Sequence, residues 1–304
     1  MSHFATLVIH KEGADIDGIL APFCETDEDF FEFYDFTDEI KKEYSAVTVK
    51  RVKMPDGKYY NYGDKIFAKK VSKEEYYKNQ NGFRSYISSG RNGLNTEYIL
   101  CDYIEKGGAL VDVPAKEIMT LGEYAEYCGY CKYKQDENIP DENAVFGYYF
   151  NPNAEWDWFQ IGGRWNNFIK TKSGIFCNSC KIGEIDFTPD ERDMKINRRF
   201  WEIVVDKEPL KEGEKKPFCF YTEEYLKKLY GDKETYALRN STFSTYSILT
   251  PDGEWLEPGT MGWFGISSAT ANEEREWYKS YQSIIKKFAE ENPDYVVTLV
   301  DCHI

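Results

Sequence analysis

Two apolar runs frame the chain. Phe4 to Ile9 is unbroken and rich in β-branched residues, the pattern of a strand buried on both faces. Near the other end, Tyr295 to Val300 is a second strand rich in valine, set off by Pro293. Between them, Trp277, Tyr281, Ile284, Ile285 and Phe288 recur at helical spacing and predict one apolar stripe. Asn272 is the expected cap of that helix, with Glu273 and Glu274 in its first turn, where negative charge suits the helix dipole. Two hairpins are predicted at Asp-Gly turns: Val47–Val52 with Tyr59–Tyr62, and Phe243–Leu249 with Glu254–Leu256. Met261–Ile266 and Ala109–Val113 read as further strands. Asp15–Phe23, Lys73–Asn79 and Thr120–Tyr127 read as short helices, Gly82–Asn95 as a loop and Asp136–Asn143 as a polar linker.

Strand and helix at the start, then strand, strand, helix and strand at the end, predict an α+β class. The expected form is a split ferredoxin-like α/β sandwich built by the two termini, residues 1–25 plus 241–304. Residues 26–240 are then too long for a loop and form a large inserted second lobe.

The 304 residues carry 41% hydrophobic and 17% aromatic side chains, enough for an aromatic-rich core. Net charge is −15, so phosphate backbones and anionic lipid repel the surface, and direct nucleic-acid binding is not expected. No apolar window reaches the length of a membrane span. Eight cysteines without a secretory signal predict a reducing, cytoplasmic setting.

Candidate chemistry is sparse. From Glu25 to Glu43 acids alternate with aromatics, among them Asp29, Phe30, Phe31 and Glu32. Such a run is an ordered acidic face or a docking segment for a basic partner. Cys128-Gly-Tyr-Cys131 and Cys177-Asn-Ser-Cys180 each have zinc-knuckle spacing. Together they could complete a tetrahedral structural zinc, although the 45 residues between them exceed ordinary ribbon spacing. The three histidines, His3, His10 and His303, all fall on the terminal strands. If those strands pair, His3 or His10 approaches Asp301 and His303 as an acid–base pair or metal site needs. The preferred expectation is exposed strand ends without a site.

The densest segment is Asn151-Pro-Asn-Ala-Glu-Trp-Asp-Trp-Phe-Gln-Ile-Gly-Gly-Arg-Trp165. Trp156, Asp157, Trp158, Arg164 and Trp165 are its candidate binding residues, since indoles and arginine anchor partners or stack on ligands. For Arg164 the preferred expectation is a buried structural arginine paired with Asp157 or Glu155. No serine-hydrolase, zinc-protease, kinase or phosphate-loop signature is present.

The opening Met-Ser-His-Phe, Leu20-Ala-Pro-Phe23, the 151–165 segment, Pro251-Asp-Gly-Glu-Trp255, Met261-Gly-Trp-Phe-Gly265 and the closing Val300-Asp-Cys-His-Ile304 together resemble a largely uncharacterised family of phage and prophage proteins. The resemblance implies an accessory protein of the host bacterial cytosol that counters host immunity. On that reading it is a non-enzymatic inhibitor whose acidic and aromatic surface binds a host defence protein or complex with a basic face. The alternatives are a nucleotide-binding protein or enzyme acting on a signalling nucleotide or nucleic acid, and a virion assembly protein. Self-association is open.

Overall fold

The computed structural model describes residues 2–78, 84–89, 96–262 and 265–304. The chain is of mixed α+β class and divides into two compact units, Met1–Phe31 with Phe150–Ile304, and Glu32–Tyr149.

In the first unit, strand β1 (His3–His10) pairs antiparallel along its whole length with β6 (Val296–His303), from His3↔His303 to His10↔Val296. The predicted terminal strands are thus the centre of the sheet. The other side of β1 takes β4 (Ser247–Leu249) in parallel, followed by its hairpin partner β5 (Trp255–Leu256). The outer edge of β6 is covered in two stretches. β2 (Trp158–Ile161) pairs with Val300–His303, and β3 (Ser179–Lys181) pairs with Val296–Thr298. Between them the Gly162 N–H donates to the Leu299 carbonyl, and the Leu299 N–H to the Asn178 carbonyl, both at 2.8 Å. β6 therefore keeps no open edge, which satisfies its backbone groups inside the core.

Two corrections follow. The boundaries lie at 31/32 and 149/150, not at 25/26 and 240/241, because residues 158–181 complete the sheet of the termini. The split ferredoxin-like form also fails in detail: β1 and β4 are direct parallel neighbours, with no strand between them as a split βαβ unit requires.

Helix α5 (Ala271–Glu291) lays its predicted stripe on one sheet face. Trp277, Tyr281 and Ile285 pack with Leu7, Ile9, Val297 and Leu299, and Ile284 and Phe288 flank them. Its cap is Thr270 rather than Asn272, in a capping box with Glu273. The opposite face packs Phe4, Val8, Val300 and Cys302 against Leu20, Phe23 and Trp156. Leu20 closes α1 (Ile16–Leu20), which Asp15 precedes without a side-chain cap bond. Helices α2 (Glu191–Val204), α3 (Glu223–Tyr230) and α4 (Lys233–Asn240) bury Trp201, Val205, Leu226 and Tyr236 in a satellite cluster.

Among the described residues the second unit holds three three-stranded sheets. Thr48–Lys53 pairs with Tyr59–Tyr60, as the Asp-Gly turn predicts, and with Ala109–Pro114. Helix Leu121–Tyr127, capped by Thr120, adds Tyr124 and Ala125 to a core with Ile40, Val49 and Phe146. Of the predicted loop Gly82–Asn95, Arg84–Ser89 forms a strand and the remainder lies outside the described residues. Met261–Ile266 makes no described strand: Met261 forms an isolated bridge to Ser267, and Trp263 and Phe264 lie outside. Among the described residues no helix is long and apolar enough to cross a membrane.

Candidate functional site

Side chains alternate across a strand, so His3, Asp301 and His303 share one face of the β1–β6 ladder, while His10 and Thr298 share the other. The antiparallel register places Asp301 diagonal to His3, within reach of a ring. His3 Nδ1 lies 2.8 Å from Asp301 Oδ1. Ionised, Asp301 can only accept, so the imidazole donates from Nδ1 and its Nε2 carries the lone pair. The other carboxylate oxygen accepts the Arg164 backbone N–H at 2.9 Å. Asp301 is 2% exposed and its oxygens are thus both bonded.

His303 forms a second pair, with Nδ1 2.5 Å from Asp157 Oδ1. Its Nε2 is buried and has no hydrogen-bond partner. The exposed Trp158 ring lies flat on the His303 ring, centroids 5.1 Å apart and planes 19° apart. His3 stands edge-on to both, at 5.4 Å from Trp158 and 5.0 Å from His303. The strand ends are therefore buried and occupied by paired groups, contrary to the expectation of exposed ends: β2 and the turn after it cover them.

That turn explains the Gly-Gly pair. Gly163 has φ +47°, and a Cβ there would collide with the Asp301 carboxylate. Gly162, at φ +72°, would place a Cβ 2.6 Å from the Asn178 amide nitrogen. The chain can pass over Asp301 closely enough to offer the Arg164 N–H only without side chains at these positions.

The predicted binding residues divide accordingly. Asp157 and Trp158 belong to the histidine cluster. Arg164 serves through its backbone. Its side chain is exposed and makes no ion pair among the described residues, which corrects the expected buried pairing with Asp157 or Glu155; His303 holds Asp157 instead. Trp156 is core, 6% exposed, edge-on to Phe159 at 5.1 Å, with its indole N–H unpaired. Trp165 is half-buried and borders a cleft. Asp29, Phe30 and Glu32 are exposed and Phe31 is half-buried; the Asp29 N–H is bonded to Asp27.

The cysteine pairs fall in different units, Cys128 and Cys131 exposed in one, Cys177 and Cys180 half-buried in the other. Burial, with Cys177 beside it, pushes the Cys180 thiol up to about 12. Among the described residues no three His, Cys, Asp or Glu side chains gather as metal ligands.

Sequence reasoning missed the cleft. It encloses about 740 Å³ beside His3 and Trp165, and Tyr225, Tyr230, Tyr278 and Glu274 line it further in. These come from α3 and α5, which no motif links. Burial raises the Glu274 carboxyl, although the Tyr225 hydroxyl donates to it at 3.1 Å. Nearby, burial and repulsion from Glu257 push Glu155 up to about 8.

The described residues of the opening segment, of 20–23, 151–165, 251–255 and 261–265, and of the closing segment all lie in this unit. Phe23 packs on Trp255 at 5.1 Å, Trp255 meets Phe4 edge-on, the Glu155 N–H donates to the Phe23 carbonyl, and the Gly265 N–H donates to Ser2 Oγ. Comparison of the chain with protein-family models, with curated proteins and with solved structures finds no match.

Proposed function

We propose that the protein is an enzyme that acts on a small organic ligand by acid–base chemistry at His3. The observation that carries this reading is the Arg164 N–H, Asp301, His3 relay at the edge of the cleft. A buried carboxylate fixes the imidazole tautomer and its orientation, and would stabilise the imidazolium formed when Nε2 takes a proton. A histidine needed only for packing would not require a glycine and a backbone donor set against its partner. His303 and Trp158 support the ring from the side.

The test incubates the full chain with a metabolite extract and follows depletion by mass spectrometry. We expect at least one compound to be consumed by the wild type and spared by His3→Gln, with both proteins equally folded by circular dichroism. Equal profiles for the two would refute the assignment.

One observation favours a second reading. Asp29, Phe30 and Glu32 are exposed on a protein of charge −15, which suits a phage counter-defence inhibitor that covers a basic face of a host protein. On that reading, a tagged wild type retains a host protein from bacterial extract at low salt. A triple alanine variant at these positions releases it. Equal retention by both proteins counts against this surface.

A further inference from the structure

The cleft beside His3 has a chemical bias that the acid–base reading does not require. Its walls are aromatic. Tyr221 and Tyr225 stack at 4.9 Å with planes 18° apart, and Trp165, Tyr230, Trp277 and Tyr278 add further rings. Among its described lining residues there is no lysine or arginine, and Glu274 is the sole carboxylate. A phosphate or carboxylate ligand would find no cation among the lining side chains and one anion to oppose it.

We infer that the cleft binds an organic cation, an ammonium or guanidinium on an apolar stem, between the tyrosine and tryptophan rings with Glu274 as its counter-ion. The inference rests on the same cleft as the proposed acid–base site and names the class of ligand that site receives. Ring faces are negative, and cages of such rings select ammonium groups over uncharged isosteres. The protein already uses this attraction internally: the Arg239 guanidinium stands over the Tyr230 ring at 5.5 Å and over Tyr278 at 4.9 Å.

Glu274 completes the argument. Its Oε1 accepts from Tyr225, and the carboxylate forms no ion pair among the described residues; Arg239 acts on it only at longer range. A half-buried carboxylate without a close counter-ion costs free energy that an arriving cation recovers. The field of the surrounding unit points the same way. Residues 1–31 and 150–304 carry 33 of the 53 acidic side chains and 21 of the 38 basic ones, a net of −12 that draws cations inward.

The experiment is titration calorimetry on the full chain with choline, methylguanidine, the uncharged carbon isostere of choline (dimethylbutanol), and adenosine monophosphate. We expect choline or methylguanidine to bind about tenfold or more tightly than the isostere, as cation–π attraction and an ion pair require. Glu274→Gln should abolish that preference. Tyr221→Leu, at a half-exposed ring, should weaken the cation alone. Binding of adenosine monophosphate with no response to either cation, or equal binding of choline and its isostere, overturns the inference while leaving the acid–base reading standing. Cation binding by a protein whose wild-type and His3→Gln forms leave equal metabolite profiles refutes the acid–base reading and leaves the inference intact.

Discussion

Both ends of the β1–β6 ladder carry histidine and put it to different use. At one end His10 is fully spent: Nε2 bonds Thr298 Oγ1 and Nδ1 bonds the Lys11 carbonyl, both at 2.8 Å. At the other end His3 and His303 each give Nδ1 to a carboxylate, and His303 Nε2 is left buried without a partner. A buried ring whose two nitrogens are both bonded is a structural part. A pair of rings held by carboxylates, with a nitrogen left over, keeps capacity to handle a proton. His10 lies seven positions beyond His3, an odd number, so the strand sends the two to opposite faces, and of the two only His3 borders the cleft.

The sharpest way to break this contrast is Gly163→Ala. The added carbon meets the Asp301 carboxylate and must also adopt a left-handed φ, so we expect a loss of about 3 kcal/mol in urea unfolding. An unchanged midpoint would mean that the turn does not hold Asp301. At the far end Thr298→Val removes the shared hydroxyl that bonds both His10 and Ser179. Stranding a buried imidazole nitrogen should cost about 2 kcal/mol and leave any turnover or ligand binding unaltered. Loss of activity in that variant would erase the distinction between the two ends.

How much of this was legible in the chain depends on the range of each interaction. The stripe on α5, the Asp-Gly hairpins and the two central strands follow from local periodicity and turn chemistry, and all appear as expected. The histidine cluster was half legible. Pairing of the terminal strands made it conceivable, but the sequence carries no sign that β2 would cover the strand ends, which is what turns exposed rings into buried ones. The domain boundaries failed for the same reason. Trp158–Ile161 reads as an aromatic segment of an insertion, and only the open edge of β6, a non-local demand, draws it into the sheet. The cleft was out of reach because its walls come from α3 and α5, about 50 residues apart in the chain, with no periodic signal linking them.

A smaller effect separates the ends by pH. Glu155 lies two residues before Asp157 in the segment that covers the histidine cluster, and its carboxyl is pushed up to about 8, first by burial and then by Glu257. Burial raises Glu257 as well, although the Trp255 indole donates to it at 3.0 Å. A carboxyl raised by folding holds its proton in the native state after the unfolded chain has released it. The native state then binds more protons, so stability is greatest below the ordinary glutamate range and falls as pH rises toward 8. Solvent reaches part of the side chain, which reduces the expected loss to about 1 kcal/mol between pH 5 and 8. Glu155→Gln should remove that share of the slope. Parallel slopes for wild type and Glu155→Gln would show that the carboxyl ionises freely in the folded protein, and the chemical asymmetry between the two ends would then rest on the histidines alone.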